Sequence, residues 1–174
     1  LVHAKIDISN LFFENAISDA FDCDICTGTI SNIKINNAKG DGLDFSGSNL
    51  NITNIHINSV KDKAISVGEK SNIKLNDLYI ENSSTGIAVK DSSKTNINKI
   101  ELNNIKFDSF MTYVKKPYFS GETFLKVSNA KTSSLFKNNL CVRTKNTYLE
   151  INGNECNVSS LDVDSLYEIG RMKK

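Results

Sequence analysis

Apolar and polar residues alternate along the N-terminal part of the chain in short segments that recur at a nearly fixed spacing. Each segment contains two apolar residues separated by one residue, and these pairs are Leu11/Phe13, Ile33/Ile35, Ile55/Ile57, Leu78/Ile80 and Ile105/Phe107. The steps between the first members of successive pairs are 22, 22, 23 and 27. A period of this length predicts a solenoid, in which each repeat buries its apolar edge against its neighbours.

A second short apolar segment follows the pairs and recurs at a constant step of 22, at 20–23, 42–45, 64–67 and 86–89. Each repeat therefore supplies two strands, and the bends between them are too short for a crossover helix. Equivalent strands stacked about 4.8 Å apart form parallel sheets. The sequence thus predicts an all-β fold, a parallel β-helix with coils of about 22–27 residues. Right-handedness follows from the general preference of parallel crossovers.

Asparagine is concentrated at the predicted bends. The residues directly before the apolar pairs are Asn10, Asn32, Asn54, Asp77 and Asn104, and a second row follows at Asn15, Asn37, Ser59, Asn82 and Ser109. Asparagine tolerates left-handed backbone conformations, and its amide can bond the equivalent amide of the next coil. We therefore expect many of the 23 asparagines to form ladders along the solenoid.

The repeat pattern loosens after Phe107, and this change sets the expected organisation of the chain. We predict regular coils over residues 1–114, followed over 115–174 by irregular last coils and a C-terminal cap within one continuous domain. Because the first coil begins in mid-pattern without a polar cap, we expect the domain to come from a longer protein. A net charge of +1 gives no nucleic-acid signature. No apolar run approaches the roughly 18 residues of a membrane span.

The four cysteines form two pairs in the sequence. Cys141 and Cys156 flank a strand–turn–strand segment, which is compatible with a disulfide in an extracellular cap or with two buried thiols. Cys23 and Cys26 form a CxxC motif without a second pair at zinc-binding spacing. Cys23 aligns with the inward Phe45, so we predict a core position rather than a metal or redox role.

Acidic residues gather on the outer side of the second strand. Stacking the coils places Asp19, Asp22, Asp41 and Asp44 in one patch, with Asp62 and Lys63 one coil further on. Three roles remain open for this Asp patch: turn formation, binding of a ligand or Ca²⁺ by the first four carboxylates, and acid–base catalysis. In the catalytic case, Asp41, Asp44, Asp62 and Lys63 would be the active residues. His56, beside Lys34 and Tyr79, is predicted to be an ordinary surface residue.

Four blocks of the sequence carry a family resemblance: DAFD at 19–22, GDGLDFSGS at 40–48, DKAISVGE at 62–69 and GIAVKD at 86–91. Together they resemble the right-handed parallel β-helix region beside the kinase-like domain of some bacterial proteins related to spore coat protein H. The resemblance covers roughly residues 8–120. It implies a noncatalytic appendage of an exported or envelope protein.

The GDGLD block at 40–44 is also similar to the catalytic coils of polygalacturonase-type, or pectin lyase-like, β-helix enzymes. That resemblance implies catalytic roles for Asp41, Asp44 and Asp62. Lys63 stands where a second aspartate of a pair is expected, and the other characteristic blocks of the family are missing.

These observations predict first a noncatalytic module, either a scaffold or a binder of carbohydrate or a protein surface, within a larger exported bacterial protein. The expected location is extracellular or in the cell envelope, and the expected partners are a polysaccharide or adjoining domains, not nucleic acid. No cofactor is predicted apart from Ca²⁺ at the Asp patch. The alternative is a polysaccharide-degrading hydrolase or lyase that uses Asp22, Asp41, Asp44 and Asp62, with Lys63 or Lys90 as a cationic helper.

Overall fold

Alternating apolar residues build two sheets in a computed structural model that describes residues 1–168 and 172. The long-strand sheet contains β1 (Lys5–Ala16), β3 (Thr27–Ala38), β5 (Asn49–Val60), β7 (Asn72–Glu81), β9 (Lys94–Asn103), β11 (Thr123–Ser133), β13 (Thr147–Ile151) and the short antiparallel β14 (Asn154–Glu155). The short-strand sheet contains β2 (Phe21–Asp24), β4 (Leu43–Ser46), β6 (Lys63–Gly68), β8 (Thr85–Lys90), β10 (Asp108–Tyr113) and β12 (Asn139–Arg143). One helix, α1 (Val163–Glu168), follows.

The two sheets stack as about seven coils, which confirms the predicted parallel β-helix. Right-handedness stays a prediction. The main core lies between the sheets, where Ile33, Ile55, Leu43 and Phe45 are fully or almost fully buried. Burial of each such side chain contributes roughly 1.5–3 kcal/mol. No helix in the described part of the chain is long and apolar enough to cross a membrane.

The register of the fifth coil corrects the predicted repeat. Leu78 pairs with Ile100, and Ile80 pairs with Leu102, so the fifth apolar pair is Ile100/Leu102, at a step of 22 residues from Leu78/Ile80. The prediction of Ile105/Phe107 at a step of 27 was wrong. The extra residues come later, because Ser133 of β11 pairs with Asn103 of β9, 30 residues earlier.

Both rows of polar bend residues adopt left-handed backbone conformations. In the first row φ is 61° at Asn10, 56° at Asn32, 57° at Asn54 and 54° at Asp77, and these residues interrupt the regular pairing near the middle of β1, β3, β5 and β7. The second row comprises Asn15, Asn37, Ser59, Asn82 and Asn104, so Asn104 takes the place predicted for Ser109.

Amide hydrogen bonds between coils confirm the predicted asparagine ladders. Asn54 Nδ2 donates to Asn32 Oδ1 at 2.7 Å, and Asn32 Nδ2 donates to Asn10 Oδ1 at 3.1 Å. A neighbouring ladder joins Asn58 to Asn36 at 3.1 Å. The ladders satisfy the polar groups of residues whose backbone conformation favours asparagine.

A second, smaller core lies on the outer face of the short-strand sheet. Ala88, Met111 and Tyr113 point away from the main core and are covered by Leu166 of α1 and by Met172. The C-terminal segment therefore covers part of the outer face that carries the Asp patch.

Disulfides join Cys23 to Cys26 and Cys141 to Cys156. Cys23 and Cys26 are fully buried within the main core, where Cys23 was predicted to lie. The Cys141–Cys156 bond ties β12 to the chain that follows β14.

Candidate functional sites

Two members of the Asp patch bond the backbone of the coil above. Asp19 Oδ1 accepts a hydrogen bond from the Asp41 backbone N–H at 2.7 Å, and Asp41 Oδ1 accepts one from the Lys63 backbone N–H at 3.0 Å. Asp22 and Asp44 are paired neighbours on β2 and β4. The structure thus brings the predicted residues close together, but it assigns Asp19 and Asp41 a structural role as well.

Lys63 lies between two carboxylates at the centre of the patch. Its Nζ is 3.0 Å from Asp41 Oδ1 and 2.7 Å from Asp62 Oδ2. The side chains of Lys63 and Asp41 are each 2% exposed, and that of Asp62 is 12% exposed. Burial raises the pKa of Asp41 to about 6, although Lys63 opposes this shift. Burial by itself would lower the pKa of Lys63, because it disfavours the charged form. Asp41 and Asp62 outweigh this effect and raise the pKa of Lys63 well above its usual range.

Lys90 brings a second cation beside this group. Its Nζ donates to Ser66 Oγ at 2.5 Å, and its side chain passes over Gly68, where the absence of a Cβ leaves room for it. Burial lowers the pKa of Lys90, while the nearby Asp44 acts in the opposite direction. Asp44 Oδ1 is buried and makes no hydrogen bond within the described residues.

Two tyrosines from later parts of the chain, Tyr113 of β10 and Tyr167 of α1, lie beside the charged group. The hydroxyls of Tyr113 and Tyr167 are 2.6 Å apart, and Lys115 Nζ lies 3.8 Å from the Tyr167 ring centroid. Burial raises the pKa of Tyr113 well above the usual range, and it raises that of Tyr167 to about 12. Both hydroxyls are therefore neutral at physiological pH.

Calcium binding at Asp19, Asp22, Asp41 and Asp44 stays a prediction. Within residues 1–168 and 172, no three His, Cys, Asp or Glu side chains converge as a metal ion requires. Asp41 is paired with Lys63, and Asp19 accepts a backbone hydrogen bond. Asp22 remains exposed, and burial, Asp24 and Asp44 all raise its pKa. Asp19 and Asp41 thus already make contacts within the protein, whereas Asp44 Oδ1 has no hydrogen-bond partner among the described residues.

A hollow lies on the opposite side of the molecule, along the long-strand sheet at the left-handed positions Asn54 and Asp77. This bend groove has a volume of about 780 Å³. Its polar lining comprises Asn54, His56, Asp77, Tyr79, Lys99, Glu101, Ser128, Asn129, Lys131 and Asn152. A second hollow of about 460 Å³ shares Ser128 and continues along the same sheet past Asn51, Asn76 and Asn98. The two hollows therefore run across several stacked coils.

An aromatic pair is held in place within the bend groove. The rings of His56 and Tyr79 meet edge to face, with centroids 5.0 Å apart. The Tyr79 hydroxyl donates to Glu81 Oε2 at 3.3 Å, and His56 Nε2 is 3.8 Å from Glu81 Oε1. The rings are thus fixed by neighbours while the His56 side chain stays 47% exposed.

The ionic groups of the groove balance one another. Lys99 Nζ bonds Asp77 Oδ1 at 2.9 Å, and Lys131 stands opposite Glu101 on the adjacent strand. These four side chains carry no net charge together. The groove therefore presents hydrogen-bonding groups and rings without a field of one sign.

The bend groove was not predicted from the sequence, because the repeat pattern marks His56 and Tyr79 only as ordinary surface residues. The available signal was the left-handed position in mid-strand at Asn54 and Asp77. His56 and Tyr79 each follow such a position by two residues and are paired on adjacent strands, where their rings meet. The repeat pattern gives their outward direction but not this ring contact.

No family model, curated protein or solved structure matches this chain. The fold and the two surfaces define a parallel β-helix protein with an open polar groove on one sheet and a closed charged group on the other. The resemblances to the spore coat protein H relatives and to the polygalacturonase-type enzymes stay predictions.

Proposed function

We propose that this β-helix is a noncatalytic module that binds a neutral polysaccharide strand in the bend groove. The observation that carries the proposal is the fixed His56–Tyr79 pair inside an open groove lined by amides and balanced charges. Ligand sites typically combine an apolar or aromatic surface with a few placed polar groups. A sugar ring has this same combination, with apolar C–H faces and hydroxyls around its rim.

The stacking of coils supports an extended ligand. Each coil adds one strand to the groove at a spacing of about 4.8 Å. Asn54, Asn129 and Asn152 line the groove from different coils, and their amides offer both donors and acceptors. A chain of sugars running along the stack would meet hydrogen-bonding side chains on every coil of the groove, whereas a compact ligand would use only part of the groove.

The balanced charge argues for a neutral polymer over an acidic one. Lys99 is engaged by Asp77, and Lys131 faces Glu101. A uronate-rich chain would bring carboxylates against two acidic side chains, and like charges at close range are unfavourable.

The proposed setting is an exported bacterial protein of which this module is one part. The Cys141–Cys156 disulfide supports this setting, since disulfides persist mainly in oxidising compartments. The binding partner would then be an extracellular or envelope polysaccharide.

Retention on insoluble polysaccharides tests the proposal. We expect the protein to be retained on at least one neutral polymer among cellulose, chitin and xylan, and more weakly on polygalacturonate. Tyr79→Ala should weaken binding by about tenfold, equivalent to about 1.4 kcal/mol. Tyr148→Ala is the matched control, because Tyr148 stacks on Phe124 on the same sheet but outside the groove. Absence of retention on every polymer, or equal effects of the two variants, would contradict the proposal.

A second candidate is a polysaccharide-degrading enzyme that uses Asp41, Asp44, Asp62 and Lys63. The observation in its favour is the pKa of Asp41, which burial raises to about 6 and so toward the range of a general acid. This candidate requires that a polysaccharide reach Asp41 and Lys63, which are buried in the structure. New chain ends produced from a polysaccharide by the wild type but not by Asp41→Asn would favour this candidate over the binding module.

A further inference from the structure

The Asp41–Lys63–Asp62 group combines an amine and two carboxyls inside the protein. Lys63 Nζ is within hydrogen-bond distance of both carboxyls, at 3.0 Å from Asp41 Oδ1 and 2.7 Å from Asp62 Oδ2. Lys63 and Asp41 are almost fully shielded from solvent. Reactive groups held in contact in this way react as if at very high effective concentration.

We propose that Lys63 and Asp41 condense within the folded protein to form a side-chain amide that joins two neighbouring coils. Asp41 precedes β4 and Lys63 begins β6, and these two strands are adjacent in the short-strand sheet. The cross-link is an autocatalytic modification, and it is separate from the polysaccharide binding proposed for the opposite sheet.

The reaction is a dehydration with no redox change. Lys63 Nζ first gives up a proton to a carboxylate, and its lone pair then attacks Asp41 Cγ. A C–N bond forms, one C–O bond of the Asp41 carboxyl breaks, and the departing oxygen leaves as water with protons from the amine. The starting ammonium and carboxylate thus yield one amide and one water molecule. Asp62 serves as the proton acceptor and donor for these transfers.

The surroundings of Asp41 suit the intermediate of this reaction. The Lys63 backbone N–H donates to Asp41 Oδ1 at 3.0 Å, so a donor already faces the oxygen that gains negative charge during attack. Fixed backbone donors of this kind stabilise tetrahedral intermediates of acyl transfer. Exclusion of water also protects the product amide from competing hydrolysis.

Proton transfer is the demanding step, because the two carboxylates hold the Lys63 ammonium in its charged form. Burial acts against this charge separation, since it raises the pKa of Asp41 to about 6 and disfavours both ionic forms. Asp62 accepts one proton from Lys63 and passes it to Asp41, and this transfer replaces two buried charges by the neutral Asp41 acid and the neutral Lys63 amine, which are the reacting species. We therefore expect slow formation after folding.

Intact mass measurement of the purified, folded protein tests the proposal after reduction, alkylation and denaturation. We expect the wild type to be lighter than its sequence mass by one water, with the Asp41 and Lys63 peptides joined after trypsin digestion. Lys63→Arg keeps a cation between the carboxylates but lacks the amine, so the mass of this variant should equal the mass calculated from its sequence. Asp41→Asn should lose ammonia instead of water if the same bond forms.

Two further variants separate this chemistry from other routes. Asp62→Asn removes the proton acceptor and should leave most of the chain unlinked, whereas Asp44→Asn, the matched control beside the group, should cross-link as the wild type does. Ring closure at Asp41–Gly42 also expels water, but it leaves the Lys63 peptide linear and persists in Lys63→Arg. A folded wild type of complete mass, or a water loss confined to Asp41–Gly42, would overturn the proposal. A cross-linked Asp41 would also rule out its role as a general acid.

Discussion

The Lys90 amino nitrogen lies 2.5 Å from the hydroxyl oxygen of Ser66 on the preceding strand of the short-strand sheet. The contact places a lysine across the sheet instead of toward solvent. Asp44, Lys63, Asp41 and Asp91 also act on it electrostatically, with opposing signs. Lys90 is therefore a buried cation whose hydrogen-bonded partner is a neutral hydroxyl.

This burial gives a pH-dependent contribution to stability. The folded-state pKa of Lys90 is below its ordinary value of 10.5, so between these two values the unfolded chain binds more protons. The free energy of unfolding contributed by Lys90 then rises with pH up to about 10.5. We expect the stability of the wild type minus that of Lys90→Met to increase between neutral pH and pH 10, as measured by urea unfolding. A difference that stays flat or falls would show that Lys90 remains charged in the fold.

Asn54→Ala should destabilise the protein by about 1–3 kcal/mol, because a nonglycine residue in the left-handed region carries strain of this order. Asn54 has φ of 57°, and its amide bonds Asn32 at 2.7 Å. Asn54→Gly is the matched control, since glycine adopts this conformation without a Cβ penalty. It should cost clearly less than alanine in chemical denaturation. Equal losses would assign the effect to the ladder hydrogen bond instead of the backbone conformation.

Gly86→Ala should destabilise the protein by about 2 kcal/mol or more, because overpacking against backbone cannot be relieved by a rotamer change. An added Cβ at Gly86 would overlap the backbone oxygen of Ser109 on the next strand. At Gly68 an added Cβ would instead meet the flexible Lys90 side chain, at 3.1 Å from Cε. Gly68→Ala should therefore cost less, and thermal unfolding of the two variants compares them. The reverse order would contradict the packing described for β8 and β10.

Loss of the Cys141–Cys156 disulfide should reduce the free energy of unfolding by about 3 kcal/mol, the value for a loop of about 15 residues. The two cysteines are 15 positions apart. The double substitution Cys141→Ser with Cys156→Ser removes the bond, and urea unfolding under nonreducing conditions measures the loss. The parent protein in reductant provides the comparison. A double variant as stable as the oxidised parent would mean that the C-terminal coils are held by packing alone.

The first four coils could be predicted from the sequence because one period superimposes their strands. Ile33, Ile55 and Leu78 fall at equivalent places, and a period-two pattern fixes which side faces inward. The fifth coil could not be predicted in this way. Both Ile100/Leu102 and Ile105/Phe107 have the required alternation, and only pairing with β7 distinguishes them.

The candidate sites depended on information that repeats do not contain. The proximity of Asp41, Asp62 and Lys63 followed from the coil spacing, but the repeat does not show that Tyr167 of the C-terminal helix interacts electrostatically with all three. The repeat also does not show that Asp19 and Asp41 bond the backbone of the next coil. The bend groove also depends on the contacts of His56 with Tyr79 and Glu81, which the repeat does not show.

The coils joined by β1, β3 and β5 share one register, and the ladder partners Asn10, Asn32 and Asn54 follow one another at a separation of 22. Removing one complete step of this length would give each remaining strand and each ladder asparagine a neighbour equivalent to the one it lost. In a solenoid each unit contacts only its neighbours, so the main effect of such a deletion is the loss of one coil and one interface between coils. The length of the molecule along its axis is thus quantised. Insertion or deletion of whole coils would change this length while the cross-section stays the same.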